Sequence, residues 1–127
     1  MVRALFDAFA RRDVEGAIAL AAPDMRFWPQ GTLELTGRHE PYVGHEGLRA
    51  YFADAEAGWS ELVLHPRDVR VAGDGVIVFG VVNGVKRSGE AFDRQAIWVF
   101  KVRDGRIASC RAVATAAEAA QRAAAGG

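Results

Sequence analysis

QAIWVFKVRDGRIASCRAV, residues 95–113, consists of two apolar runs that meet at Asp104-Gly105. Apolar and polar side chains alternate in both runs, which is typical of β-strands that bury one face. An Asp-Gly pair readily adopts the positive φ angles of a tight hairpin turn. The stretch therefore predicts a β-hairpin, and the earlier part of the chain must cover its apolar face.

The residues before this hairpin predict two more long strands. Residues 61–71 form one of them, and Pro66 predicts a bulge or kink there because proline cannot donate to a sheet ladder. A Gly-Asp-Gly turn at 73–75 leads into a strongly β-branched strand at 76–87.

The end of the strand at 76–87 has two readings. Asn83-Gly84 could form a hairpin turn by itself. We expect instead that the strand continues to a turn at Ser88-Gly89, because the next run, residues 90–103, needs a partner of that length.

The first half of the chain predicts mainly helices. The first, at residues 2–11, has an apolar face formed by Leu5, Phe6 and Phe9. Asp13 is a suitable N-cap for a second helix, which Pro23 ends. The buried side of that helix is expected to contain Val14, Ala17, Ile18 and Ala21. A short strand at 25–28 follows, and a third helix is predicted at about 45–58.

Residues 30–43, QGTLELTGRHEPYV, form the irregular part of the chain. The stretch is polar, contains Gly and Pro, and is long for a connection in a compact domain. Loops of this kind commonly line or cover a binding site. A short strand also fits at 33–35.

The C-terminal tail, residues 115–127, is rich in alanine. Thr115 and Glu118 have the spacing of a capping box, which predicts the start of a short helix. Helices followed by a run of antiparallel strands indicate an α+β arrangement, with helices on one face of a curved sheet. We expect residues 1–127 to form one domain of this class.

The composition excludes several classes of protein. Lys plus Arg and Asp plus Glu both total 16, so the formal net charge is zero and a nucleic-acid or anionic-membrane surface is not expected. The single cysteine, Cys110, cannot form an internal disulfide, and no apolar run approaches the length of a membrane span. The N-terminus lacks a signal-peptide pattern. We therefore expect a cytoplasmic protein.

Three stretches, RRDVEGAIALAAPDMRF, YVGHEGLRAYF and WVFKVRDGRIASCRAV, follow one another in the chain. Together they resemble the SnoaL-like branch of the NTF2-like superfamily over residues 3–114. The resemblance implies a cone, in which a curved antiparallel sheet wraps a long helix and leaves a pocket at the open end. Members include steroid isomerases, polyketide cyclases, epoxide hydrolases and non-catalytic binding or dimerisation modules, so the fold does not choose the function.

The alternation of side chains along the strand at 90–103 predicts which of them point into the cone and which point outward. The face that ends in Lys101 and Arg103 is expected to point outward, and the other face into the cone. The inward face consists of Phe92, Arg94, Ala96, Trp98, Phe100 and Val102. The family register implies that the interior also receives Tyr51, Phe79, Val81, Asn83, Ala108, Cys110 and Ala112.

The outer face of the sheet is expected to be apolar as well, with Val78, Val82, Ile97 and Val99. In this family such a face commonly pairs two subunits, so the resemblance implies a homodimer. The pocket is expected to be aromatic and apolar, which suits a small hydrophobic ring or carbonyl compound, and no cofactor is expected.

The best-known chemistries of the family do not carry over to this sequence. Steroid isomerases of this fold use an aspartate base, and an oxyanion hole made by a tyrosine and a protonated acid. The matching positions here are Pro29, Leu5 and Trp98. The Asp–Arg–Asp set of the epoxide hydrolases falls at Val81, Asn83 and Ala112. Both sets are missing, which argues against both reactions.

Arg94 is the first candidate for a catalytic role. A guanidinium on an apolar inward face must have a partner, since an unpaired buried charge is costly. Arg94 could bind a carboxylate or enolate oxygen of a ligand. The alternative is an internal salt bridge to Glu34, Asp54 or Glu90.

Three further residues are catalytic candidates. Asp54 could be a general base on the pocket helix, but its helical phase points more outward than inward, which favours a solvated carboxylate. His45 and Tyr42 could form hydrogen bonds at the rim of the pocket. The His-Glu pairs at 39–40 and 45–46 do not have the spacing of a metal motif, and we expect no metal.

The residues expected to contact a ligand are Trp28, Tyr51, Trp59, Phe79, Asn83, Trp98, Phe100 and Cys110. Ordinary core packing is the alternative for Trp28 and Trp59. Trp98 occupies a family catalytic position and is expected to fill or narrow the pocket. No base is evident near Cys110, so its thiol is expected to be inert.

The sequence is compatible with three functions. The chain could be an isomerase- or cyclase-type enzyme acting on a hydrophobic carbonyl compound, which requires a titratable group beside the substrate. It could be a non-catalytic binder of an apolar small molecule. It could also be a dimerisation module whose pocket is filled by Trp98 and Phe100.

Overall fold

The computed structural model describes residues 1–124, which form helices packed against one six-stranded sheet. The helices are α1 Val2–Ala10, α2 Val14–Leu20, α3 Gln30–Thr36, α4 Gly44–Gly58 and α5 Ala116–Ala124. The strands are β1 Ala21–Trp28, β2 Tyr42–Val43, β3 Trp59–Ala72, β4 Gly75–Lys86, β5 Ala91–Arg103 and β6 Arg106–Val113. The predicted α+β class is confirmed.

The sheet has the strand order β2-β1-β6-β5-β4-β3. Only the β1–β6 pair is parallel, and the other neighbouring strands are antiparallel. α1 and α4 supply apolar side chains to one core, which they share with the concave face of the sheet. No helix among residues 1–124 is long and apolar enough to cross a membrane.

The predicted hairpin forms β5 and β6. Asp104 and Gly105 have φ angles of 54° and 75°, as a tight turn at Asp-Gly requires. β4 runs through Asn83-Gly84 without a turn, and Asn83 pairs with Asp93. The predictions of the hairpin and of the continuous strand are therefore confirmed.

Pro66 lies where the β3–β4 register shifts, between the pairs at Pro66 and Asp68. The prediction of a bulge is confirmed. A bulge bends its strand and increases the local twist, which helps a sheet to wrap around helices.

The faces of β4 differ from the prediction. Val82 pairs with Arg94 and Val78 with Trp98, so Val78 and Val82 share the concave face with them. The residues placed in the interior by the family register, Phe79, Val81 and Asn83, lie on the outer face. The β4–β5 connection is centred on Ser88, with Lys86 N–H donating to Glu90 O at 2.9 Å. A two-residue turn at Ser88-Gly89 would have paired Asn83 with Arg94, and a shift of one residue exchanges the faces.

A second irregularity in the sheet changes which side chains of the last strand face the core. The β5–β6 register shifts between Lys101 and Val102, so that Val102 pairs with Ile107. Ile107, rather than Ala108, is therefore buried in the core. Cys110 and Ala112 lie beside the concave-face residues Phe100 and Trp98, as predicted.

The first two helices, α1 and α2, begin close to their predicted positions. Asp13 Oδ1 accepts a hydrogen bond from the Gly16 N–H at 2.9 Å, which confirms the N-cap of α2. α2 ends at Leu20, however, and β1 begins at Ala21. Pro23 therefore lies within β1 rather than at the end of the helix, and β1 is longer than the strand predicted at 25–28.

Residues 30–36 form the helix α3, so the prediction of a short strand at 33–35 is wrong. Gly37 ends the helix in the left-handed conformation, with φ 69°. Contacts of Thr32 with Trp59 and of Gly31 with Phe92 hold this segment in a helix.

α5 packs on the outer face of the sheet. Ala119 and Ala123 contact a cluster that includes Ile77, Val99 and Val113. Thr115 Oγ1 accepts a hydrogen bond from the Glu118 N–H at 3.1 Å, so the predicted helix start is confirmed. The end of the predicted tail, residues 125–127, lies outside the described residues.

Candidate functional site

A narrow cavity of about 60 Å³ lies between the concave face of the sheet and the helices. Its apolar walls are formed by Phe6, Phe9, Phe27, Trp59, Leu62, Leu64, Val82, Phe92, Trp98 and Phe100. Ligand sites for drug-sized molecules commonly occupy about 300–1,000 Å³. A ring-sized molecule therefore fits this cavity only if part of the wall moves.

Aromatic rings take up much of the interior. The Phe6 ring lies 5.0 Å from the Trp98 ring and 5.7 Å from the Phe100 ring, both in edge-to-face geometry. Such pairs add to the stability gained from burial. Trp98 narrows the cavity, because its indole lies between β5 and α1.

The helix α3 closes one end of the cavity. Thr32, which is 2% exposed, accepts a hydrogen bond at Oγ1 from Trp59 Nε1–H at 3.1 Å. Gly31 lies so close to the sheet that a Cβ there would be 3.2 Å from Phe92 Cζ. The lack of a side chain at Gly31 allows α3 to lie directly against the ring of Phe92.

The cavity opens beside the first part of β5, where that strand has a neighbour on one side only. β6 ends at Val113, opposite Ile97, so the residues of β5 before Ile97 are paired with β4 alone. Gln30 of α3 faces this gap, together with Arg94 and Gln95. The same residues also border a groove of about 510 Å³ on the outside of the sheet. This opening is hereafter called the mouth.

Arg94 lies at the mouth, with its side chain 51% exposed. Its Nη1 is 2.9 Å from Glu34 Oε2 of α3, and its guanidinium lies 4.2 Å from the centre of the Phe92 ring. Arg94 is therefore paired with Glu34, one of the three partners considered from the sequence. An exposed ion pair of this kind contributes about 0–1 kcal/mol, so it can be exchanged at little cost.

Besides Arg94 at the mouth, two titratable side chains lie on the cavity wall. Burial raises the pKa of Tyr51 to about 12. Burial also raises the pKa of the Cys110 thiol above its ordinary value. Both groups are protonated at neutral pH, so they can donate a hydrogen bond but cannot serve as bases. None of the described residues that line the cavity is a carboxylate or a histidine.

The other catalytic candidates lie outside the cavity. Tyr42 O–H donates a hydrogen bond to Asp54 Oδ2 at 2.7 Å, and the Arg38 guanidinium lies 4.3 Å from the centre of the Tyr42 ring. Burial, together with the hydrogen bond to Asp54, raises the pKa of Tyr42 well above its usual range. His45 Nε2 lies 3.1 Å from Ala21 O, where it joins α4 to β1.

The predicted ligand contacts divide between the two faces of the sheet. Those that line the cavity are Tyr51, Trp59, Trp98, Phe100 and Cys110. Trp28, Phe79 and Asn83 lie outside it. The Trp28 ring contacts the Arg111 guanidinium at 4.5 Å, and Asn83 Nδ2 donates to Asp93 Oδ1 at 2.8 Å. Phe79 borders the outer groove.

Several cavity residues were not predicted as ligand contacts. Phe6 and Phe9 were assigned only to a buried helix face, and Thr32 lay in the irregular stretch. The helical spacing of the two Phe residues could have indicated this contact, because the buried face of a helix inside a cone lines the interior of the cone. Nothing in the sequence around Thr32 indicates its contact with Trp59. Within residues 1–124, no group of three His, Cys, Asp or Glu side chains could hold a metal ion.

The sequence model of the SnoaL-like domain matches residues 2–110. An NTF2-like protein of unknown function from Burkholderia pseudomallei is similar in structure, with 24% identity, a TM-score of 0.78, and coverage of 98% of this chain and 95% of that one. TerC, co-crystallised with polyporic acid, has 22% identity, a TM-score of 0.77 and the same coverage. No curated protein matches the chain in sequence.

A protein from Mycobacterium tuberculosis in complex with estradiol-17beta-hemisuccinate is also similar. It has 17% identity and a TM-score of 0.70, with coverage of 91% of this chain and 92% of that one. At these levels of identity, the structural likenesses show the NTF2-like fold alone.

Proposed function

The chain belongs to the SnoaL-like domain family, and from that premise we propose that it binds a small hydrophobic ring or carbonyl compound inside its cone. The proposal rests on one observation: the aromatic cavity opens at a mouth that Arg94 borders. Apolar walls supply affinity through burial, and a few polar groups at one end fix the orientation of a ligand.

The ligands of two structural neighbours support the proposal. TerC was co-crystallised with polyporic acid, and the Mycobacterium tuberculosis protein with estradiol-17beta-hemisuccinate. Both are small organic molecules, which is the class that the walls of this cavity suit.

The ligand enters by displacement of α3. This helix is short, and it contacts the sheet side of the mouth through the exposed Arg94–Glu34 pair and the buried Thr32–Trp59 hydrogen bond. Movement of α3 enlarges the cavity beyond about 60 Å³ without disturbing the long strands. A carboxylate or carbonyl oxygen of the ligand then takes the place of Glu34 at Arg94.

Non-catalytic binding is favoured over acid–base catalysis. The titratable groups on the cavity wall, Tyr51 and Cys110, both keep their protons at neutral pH. An isomerase or cyclase needs a base that reaches the substrate. Asp54 and Tyr42 bind each other outside the cavity, and His45 joins α4 to β1. An enzymatic function would therefore need the ligand itself to bring a reacting group to Arg94.

A dimerisation module is the second candidate, because the cavity is small and part of the outer sheet face is apolar. α5 already covers Ile77, Val99 and Val113. Phe79, Val81 and Ile97 are left partly exposed. These three residues would form the centre of the proposed homodimer contact. The homodimer and the cytoplasmic location both remain predictions.

A thermal-shift screen with ring-containing ketones, lactones and carboxylic acids tests the proposed function. The proposal expects at least one compound to raise the melting temperature of the wild-type protein, because a ligand that binds only the folded state stabilises it. If the best compound is a carboxylic acid, Arg94→Ala should remove most of the shift while the unliganded variant stays folded. Absence of any shift across the screen would favour the dimerisation module, which analytical ultracentrifugation of the wild-type protein would then test.

A further inference from the structure

A second cleft lies on the outer face of the sheet, on the side opposite the cone cavity. It has a volume of about 520 Å³ and is bordered by β1, β6, β5 and the C-terminal part of α5. Five cationic side chains line it, against the two carboxylates Asp24 and Asp74. The cations are Arg26, Lys101, Arg103, Arg111 and Arg122. Arg103 and Arg122 have carboxylate partners and Lys101 Nζ donates a hydrogen bond to Ala123 O, so the excess of positive charge lies on Arg26 and Arg111.

The strand register places Arg111 at the centre of the cleft. Arg111 of β6 pairs with Trp28 of β1 on one side and with Val99 of β5 on the other. The Arg111 guanidinium stacks on the Trp28 ring at 4.5 Å. Stacking fixes the plane of a guanidinium and leaves its N–H edge free for two parallel hydrogen bonds to an oxyanion.

Some of the cationic side chains in the cleft have an ion-pair partner, and others do not. Arg103 pairs with Asp24, and Arg122 pairs with Glu118 at 3.3 Å. Arg111 and Arg26 have no ion pair with any residue of the described chain. Arg111 is partly buried, and burial together with the nearby charge of Arg122 lowers its pKa, although Glu118 offsets part of the effect. A bound anion would relieve both the burial cost and the repulsion.

We propose that this outer cleft is a second binding site, for a small molecule that carries a phosphate group, with Arg111 and Arg26 as the phosphate ligands. The presence of two unpaired guanidinium groups in a positive cleft favours a multiply charged phosphate over a single carboxylate. The volume lies within the usual range for small-molecule sites. The site does not depend on the cone cavity or on its ligand.

Isothermal titration calorimetry with pyrophosphate at low ionic strength tests this site on the full chain. The expected result is saturable binding that weakens as salt is added, because the contact is electrostatic. Arg111→Gln and Arg26→Gln should each weaken binding by at least about tenfold, the loss expected when a hydrogen bond to a charged group is removed. Arg3→Gln is the matched control. It removes the same charge from the exposed surface of α1, on the other side of the sheet, and should leave the affinity unchanged.

Succinate provides the comparison between anion classes, and it should bind at least about tenfold more weakly than pyrophosphate. The proposal is overturned if pyrophosphate gives no saturable heat, if Arg111→Gln binds as tightly as the wild type, or if succinate binds as tightly as pyrophosphate. Circular dichroism checks that each variant is folded. If Arg111→Gln does not fold, Arg26→Gln tests the proposal alone. Weaker binding than in the wild type supports the proposal, and unchanged binding overturns it.

Discussion

Trp59 Nε1–H donates a hydrogen bond to Thr32 Oγ1 at 3.1 Å, and both side chains are buried. This contact joins the first residue of β3 to α3. It satisfies the indole N–H inside an otherwise apolar wall, where an unpaired donor would be costly. It also positions α3 over the cone cavity, so the same hydrogen bond matters for stability and for access to the cavity.

Thr32→Val should destabilise the protein by about 1–3 kcal/mol, because valine keeps the shape of threonine but leaves the Trp59 N–H without an acceptor. Urea unfolding monitored by tryptophan fluorescence measures the change. Thr36→Val is the matched control, since the Thr36 hydroxyl donates to the carbonyls of Thr32 and Leu33 within its own helix and the residue is exposed. The control should change the free energy of unfolding by less than about 0.5 kcal/mol. Equal effects of the two variants would contradict the role assigned to Thr32.

The buried Tyr51 hydroxyl should make the protein less stable at high pH. In the unfolded chain Tyr51 loses its proton near the ordinary pKa of 10, whereas in the folded chain it keeps the proton up to about pH 12. The unfolded state therefore binds fewer protons above pH 10, and the free energy of unfolding falls as the pH rises from 10 to 12. The Tyr51 contribution to that fall is about 2–3 kcal/mol.

Unfolding measured at several pH values for wild type and Tyr51→Phe isolates this contribution. Cys110 and Tyr42 also have raised pKa values, so part of the alkaline loss of stability remains in the variant. Tyr51→Phe should be the less pH-sensitive protein above pH 10. Identical pH profiles for the two proteins would show that Tyr51 is not buried as described.

Cys110 should be inert in the folded protein. Its side chain is 2% exposed, and burial raises its pKa, so the reactive thiolate is both scarce and inaccessible. Alkylation by iodoacetamide at about pH 8 should be at least roughly a hundredfold slower than in the same protein unfolded by guanidinium chloride. Mass spectrometry follows the reaction at this single cysteine. Rapid labelling of the folded protein would mean that the cavity opens freely to solvent.

The sequence predicted those features that depend on local chemistry. Asp104 and Gly105 readily adopt the positive φ angles that the observed turn requires, and the alternation on β5 correctly assigned Trp98 and Phe100 to the concave face. The faces of Phe79 and Asn83 depended on the length of the β4–β5 connection. Ser88-Gly89 allows a two-residue turn as well as the longer loop that is observed. One residue of difference was enough to exchange the faces.

The remaining differences come from contacts between distant parts of the chain. Residues 33–35 read Leu-Glu-Leu, an alternation that fits a strand, but the hydrogen bond from Trp59 and the close approach to Phe92 hold them in α3. Likewise, the helical phase of Asp54 suggested a solvated carboxylate, whereas Tyr42 from β2 donates a hydrogen bond to it. Neither contact has a signal in the local sequence.

A pair of substitutions on β5 tests whether a ligand found in the thermal-shift screen occupies the cone cavity. Ala96→Phe places a ring at the mouth of the cavity, whereas Ala91→Phe makes the same change at an exposed position of β5. At a concentration of about a hundred times its Kd, the ligand should raise the melting temperature of wild type and Ala91→Phe by about 5–10 °C. Ala96→Phe should abolish this shift, because the added ring occupies the mouth through which the ligand enters. An undiminished shift in Ala96→Phe would contradict binding in the cone cavity.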